Sequence, residues 1–233
     1  MRSIRATAAV LLLATLTTGC SAYENFRKSD FAKQDAESIA DAANTAMQDV
    51  TSMRVTGQVH PEGTQILIDL AMDEDGRCSG TMRLSQGHLA IRRIGARAWI
   101  KGDGAFVTRV SDGALPANAL ARLSTSWIPA DDKTILRLCD LDSYLKALKL
   151  VATGGEARAG QEATYEEETT ADGDRVVMLP GRAGELSWVT SEAPHRVVRV
   201  DYAGKGDKGS LAISEFNQEV LVLAPRPKDV FNP

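Results

Sequence analysis

Beyond residue 20 the chain has no long apolar run, no block of basic residues and no paired histidines. No stretch there approaches the ~20 apolar residues a membrane-crossing helix needs. Lys and Arg number 27 against 31 Asp and Glu, for a formal charge of −4. No basic cluster in the sequence stands ready to displace counterions, so nucleic acid is not an expected partner. The three histidines, His60, His88 and His195, lie apart beside turns or strand ends. None has the i, i+4 spacing of a helical metal site or a cysteine close by, so neither metal nor cofactor is expected. Serines never fall in a Gly-x-Ser-x-Gly elbow. Ser143-x-x-Lys146 matches a penicillin-binding spacing without its companion signatures. In Asp73-Glu74-Asp75-Gly76 the glycine comes too early for a calcium loop, and no bidentate Glu follows. Gly102-Asp103-Gly104 and Gly154-Gly155 lack the strand-then-helix context of a phosphate cradle. Glu166-Glu167-Glu168 reads as a solvated strand face. These absences together favour binding over catalysis.

What is present begins at the N-terminus. Arg2 and Arg5 make a short basic start, residues 6–16 an apolar run broken only by Thr7 and Thr15, and small residues lead to Cys20. That order is a secretory signal peptide. Leu16-Thr17-Thr18-Gly19-Cys20 resembles the lipobox of bacterial lipoproteins, with Thr17 where leucine is usual three places before the cysteine. The resemblance implies that residues 1–19 are removed and that Cys20 becomes a diacylglyceryl-bearing N-terminus. The protein would then sit at the outer face of the cell membrane. Residues 20–33, polar and mixed in charge after the cysteine, are expected as a tether.

With Cys20 lipidated, Cys78 and Cys139 remain. An even pair in an exported chain reads as a disulfide, worth roughly 4 kcal/mol for a loop of this length in the chain-entropy model. The alternative is two buried thiols that never meet.

In residues 34–50 the apolar positions Ala36, Ile39, Ala40, Ala43, Met47 and Val50 recur at steps of three and four, which predicts an amphipathic helix. The period then becomes two. Ile66, Ile68, Leu70 and Met72 share one face opposite Gln65 and Asp69. Asp75-Gly76 turns the chain into a return strand with Gly80, Met82 and Leu84 on one side. Strands are expected over 89–94, 96–101 and 105–110. Residues 115–149 revert to helical spacing, with Pro116 in a first turn, Asp131 capping a second helix and Asp140 or Asp142 opening a third. Strands are expected again over 161–170, 174–179, 185–190, 196–203 and 209–216. A proline-containing segment, 221–231, closes the chain. The expected organisation is one antiparallel sheet in a single α+β domain, residues 34–233.

Three features carry a wider likeness: a helix running into Met53-Arg54-Val55-Thr56-Gly57, the Asp-Gly hairpins, and the closing stretch from Pro225 to Val230. With the acylated cysteine, this order resembles the LppX/LprG-type lipoproteins of actinobacteria and their LolA-like fold. That resemblance implies a strongly curved antiparallel sheet, an open half-barrel, wrapping a few α-helices around an apolar cavity for lipid or lipoglycan acyl chains. Met72, Met82, Leu84 and Met178 on strands are candidate cavity liners, being adaptable or apolar. Each equally suits a filled core. Trp99 and Trp188 (with Trp127) are candidates for the cavity mouth or for buried anchors. The function expected is a membrane-anchored extracytoplasmic carrier of a hydrophobic ligand, not an enzyme, with Gly154-Gly155 as a hinge. The rival is an envelope sensor or protein-interaction module on the same scaffold, with an envelope protein as partner.

Overall fold

A computed structural model of the protein describes residues 29–130, 133–150, 173–181, 185–203 and 208–231. The expected leader, Cys20, the capping Asp131, the hinge Gly154-Gly155, the strand over 161–170 and Glu166-Glu167-Glu168 lie outside the described residues.

The first long helix, α1 (Ala36–Gln48), starts where the sequence places it. The Asp35 carboxylate accepts the Ser38 backbone N–H at 2.9 Å, and Ile39, Ala40, Ala43 and Met47 form its buried face. Packing begins earlier than the helix. Phe31 and Ala32, in a short 3-10 turn, are buried, and the Phe31 ring stacks on His195 with centroids 3.6 Å apart. The chain is therefore held two residues before the end of the expected tether. The cause is one aromatic side chain with a flat partner.

Ten strands among the described residues form one antiparallel sheet: β1 (Ser52–Val59), β2 (Ile66–Asp73), β3 (Arg77–Leu84), β4 (His88–Ile94), β5 (Arg97–Gly102), β6 (Ile128–Pro129), β7 (Val176–Pro180), β8 (Leu186–Thr190), β9 (Val197–Ala203) and β10 (Lys208–Ser214). Their order is β6-β5-β4-β3-β2-β1-β10-β9-β8-β7. Two meanders, one from each half of the sequence, thus join where β1 pairs with β10, and β6 and β7 are left as the edges. The sheet is open, curved and covered by helices.

The alternation read from the sequence fixes the register. Met53 pairs with Met72, which pairs with Cys78, and Val55 pairs with Leu70 and with Ile213. All six are buried in the core with the apolar face of α1. One expected strand is a helix instead. Residues 105–110 fall within α2 (Gly104–Val110), whose N-cap Asp103 accepts the Phe106 N–H at 2.8 Å. Val107, Thr108 and Val110 favour strands by propensity, but the cap satisfies an orphan donor and starts a helix.

Three more short helices follow: α3 (Ala117–Thr125), α4 (Lys133–Leu138) and α5 (Leu141–Ala147). Pro116 is the N-cap of α3 and Asp140 that of α5. Cys78 and Cys139 form the disulfide, with Cα atoms 5.6 Å apart. Beside it Arg93 donates to the carbonyls of Leu136 at 2.9 Å and Cys139 at 2.7 Å. Both contacts pin the α4–α5 junction to the sheet. The α5 side is tied to α1 by Asn44, whose amide donates to Leu150 O and accepts from Leu150 N.

The closing segment crosses to the far edge of the sheet. Ser52 Oγ donates to Gln218 O, Arg92 Nη1 donates to Leu223 O, and Val230 pairs in parallel with Trp127 just before β6. The expected extended closure is present, and it spans from β10 to β6.

Candidate lipid-binding face

Side chains directly opposite one another in paired strands share a face. From Met53 and Leu70 this rule assigns every strand residue to the helix side or the outer side. Met72, Met82 and Leu84 are on the helix side. Met178 pairs with Trp188, which pairs with Arg199, and these alternate with core residues Val177, Val189 and Val200; Met178 and Trp188 therefore face outward. Trp99 pairs with Arg92 and Pro129, between the helix-side pairs Ile91–Ile100 and Arg93–Ala98, and is also on the outer side. The structure puts three of the six candidates on the helix side, Met82 and Leu84 side by side at one end and Met72 buried in the core at the other, and places the other three behind the sheet. Trp188 is anchored there by its indole N–H donating to Asp201 at 2.9 Å, with Arg199 stacked on its ring.

The helix side is not uniform along the strands. At one end Met53, Val55, Leu70, Met72 and Cys78 are fully buried under α1. Toward the other end Ile66, Ile68, Met82, Leu84 and Leu211 are only half-buried. These residues are contiguous: Ile66 pairs with Leu84, Ile68 with Met82, and Leu211 with Gly57, which also pairs with Ile68. Tyr202 flanks them on β9, close enough to Tyr144 of α5 to perturb it. Burial first, and then proximity to the other phenol, raises the pKa of Tyr144; burial, then Glu185, raises that of Tyr202.

Glycines shape this end. A β-carbon on Gly57 (φ +146°) would lie 2.1 Å from Ser210 O, and one on Gly80 (φ +159°) 2.0 Å from Asp69 O. Only glycine permits so close an approach between neighbouring strands, and such kinks curl a sheet. The sequence pattern contained this signal: both glycines interrupt the helix-facing alternation.

Two further hollows have different chemistry. One of about 240 Å³ lies between α1 and α5, with Met47 and Leu145 inside and Lys146 and Lys149 at its margin. A larger groove of about 470 Å³ on the outer face is lined by Thr56, Gln58, Thr81, Arg83 and Ser210 around Leu67. Its hydroxyls and guanidinium make it a poor home for an acyl chain.

The residues considered for catalysis have structural partners. His88 Nδ1 lies 2.9 Å from Asp103, His195 Nδ1 lies 3.0 Å from Thr190 O, and His60 Nδ1 lies 3.3 Å from Lys208 O. Ser143 Oγ donates to its own helix cap, Asp140. No cluster of three potential metal ligands occurs among the described residues, and no described helix is long and apolar enough to cross a membrane.

No family model matches the sequence, and no curated protein sequence matches it. Solved structures do. LprF from Mycobacterium bovis is 12% identical, with 82% of this chain and 96% of that one aligned, at a TM-score of 0.53. The fold is LolA-like, of the LppX/LprG type. Lipoprotein LppX from Mycobacterium tuberculosis is 14% identical over 83% of this chain and 100% of its own, with a TM-score of 0.45. At such identities the likeness concerns the backbone alone.

Proposed function

We propose that the protein is a lipid-binding lipoprotein, anchored through acylated Cys20 at the outer face of the cell membrane, that carries acyl chains without transforming them. The observation that carries this reading is the half-buried apolar wall of Ile66, Ile68, Met82, Leu84 and Leu211 on the helix-facing side of the sheet. Its side chains are hydrocarbon, Gly57 and Gly80 lie beside it, and no charged side chain of these strands alternates into it. An acyl chain laid along it gains roughly 0.8 kcal/mol per methylene removed from water, so a segment of one chain supplies useful affinity. Met82 adapts its shape to a flexible chain. The pinning of α4 and α5 by the disulfide and Arg93 supports a wall that stays in place while the ligand enters.

Native mass spectrometry tests the reading, using the mature chain from Ser21 produced behind an ordinary cleavable leader. The wild type is expected to carry stoichiometric lipid. Met82→Glu, which places a charge on the wall, is expected to lose at least tenfold in lipid occupancy while its circular dichroism is retained. Leu67→Ser, on the outer face, is expected to load normally. A chain empty under all conditions, or equal loading by all three proteins, refutes the proposal.

A further inference from the structure

A second apolar surface lies behind the sheet, where the closing segment crosses β4, β5 and β6. Leu221 and Leu223 flank half-buried Val222 and are 76% and 80% exposed. A single exposed leucine is ordinary, but two on the same side of a segment form a ridge. Around them the fold gathers cations that are scattered in the sequence. Arg92 donates to Leu223 O and stacks on Trp127, 4.4 Å from the ring centroid. Arg97 lies over Trp99 at 5.6 Å, and Arg122 over Phe231 at 5.3 Å. Lys101 and Lys228 both act electrostatically on the Asp229 carboxylate, which Arg226 contacts at 2.6 Å. The acids of the segment itself are Glu219 and Asp229.

We propose that this outer-face patch docks the domain on a bilayer surface containing anionic lipid. Leu221 and Leu223 enter the headgroup region, and Arg92, Arg97, Lys101 and Lys228 meet lipid phosphates. A soluble polyanion would use the cations but leave the leucine ridge in water. A bilayer uses both, and indole rings with apolar bodies and polar edges suit the same boundary. The contact goes beyond the carrier reading and does not depend on it. The patch binds without the acyl anchor proposed at Cys20. Docking by this face would hold the helix-covered side away from the membrane.

The test uses the unacylated mature chain from Ser21, which keeps every described residue, and sedimentation with vesicles. The vesicles are phosphatidylcholine alone, or with about 30% phosphatidylglycerol to supply negative surface charge. The wild type is expected to bind the anionic vesicles roughly tenfold more tightly than the neutral ones. Leu221→Ser with Leu223→Ser should weaken that binding at least tenfold, and because both side chains are exposed, thermal melting should not change. Lys101→Gln with Lys228→Gln should bring binding to the anionic vesicles down roughly tenfold, to the level on neutral ones, and so erase the preference for anionic lipid. Lipid uptake by the helix-facing wall leaves protein in the supernatant, so failure of the carrier reading does not disturb the assay. Failure to sediment overturns the proposal, as does sedimentation indifferent to both double variants. Binding to heparin with no leucine dependence, or capture of a membrane protein without vesicle binding, overturns it in favour of a polyanion or a protein partner.

Discussion

A β-carbon at Gly57 or Gly80 would collide with a neighbouring carbonyl oxygen, so alanine at either site must push two strands apart in a backbone conformation it resists. Gly57→Ala and Gly80→Ala are each expected to destabilise the protein by more than about 1 kcal/mol in chemical denaturation, and to reduce lipid loading by flattening the wall. Asp103 offers a cleaner probe of a cap. Its carboxylate accepts from Phe106 N–H and contacts His88, and these bonds hold its pKa below the usual carboxylate range, the Phe106 backbone bond contributing most. Asp103→Ala should cost about 1 kcal/mol in thermal or denaturant melts. The stability that the carboxylate supplies is present above its unfolded pKa and is lost as pH falls through its lower folded value, so the difference between wild type and variant should narrow in acid. The two half-buried phenols behave in the opposite sense. A raised folded pKa means that stability is full below the ordinary tyrosine value near ~10 and is lost as pH rises toward the folded value. Tyr144→Phe is expected to blunt that alkaline loss.

Among the elements, the short helices depend most on what holds them. α4 and α5 have six and seven residues, too few to persist alone. The Cys78–Cys139 bridge, closing a separation of 61 residues, and the Arg93 hydrogen bonds fasten their junction to β3 and β4. Cys78→Ser with Cys139→Ser should therefore destabilise the chain by about 4 kcal/mol in denaturant titration, and should release lipid before the sheet unfolds. Elements of this kind show what a sequence displays openly. Strands β2 and β3 were legible because alternation and an Asp-Gly turn both point to one hairpin, and the faces of Met72, Met82 and Leu84 followed. α2 was not, because β-branched residues mask a helix that one cap initiates. Trp99, Trp188 and Met178 were assigned to the cavity by residue type, whereas pairing with Arg92, Arg199 and Trp188 turns them outward. The cationic patch was invisible because its residues come from β4, β5, α3 and the closing segment, and only the crossing of that segment brings them together.

At the scale of the whole molecule, one curled sheet presents two surfaces with different chemistry. The helix-facing side passes from a closed core to a half-buried hydrocarbon wall, while the outer side carries ion pairs such as Arg54–Asp69 and the tail-bound cations. The carrier role proposed above needs this division: a cargo face must be dry, and the opposite face must stay soluble or meet a membrane. Five methionines of the described chain sample both sides, with Met82 on the wall, Met178 outside, and Met47, Met53 and Met72 in the closed core. Labelling their methyl groups with carbon-13 and adding a fatty acid spin-labelled along its acyl chain therefore tests the central claim directly. The account predicts that the Met82 resonance broadens first and strongly, with Met72 following and Met178 unchanged. Broadening of Met178 ahead of Met82, or none at saturating fatty acid, would contradict it.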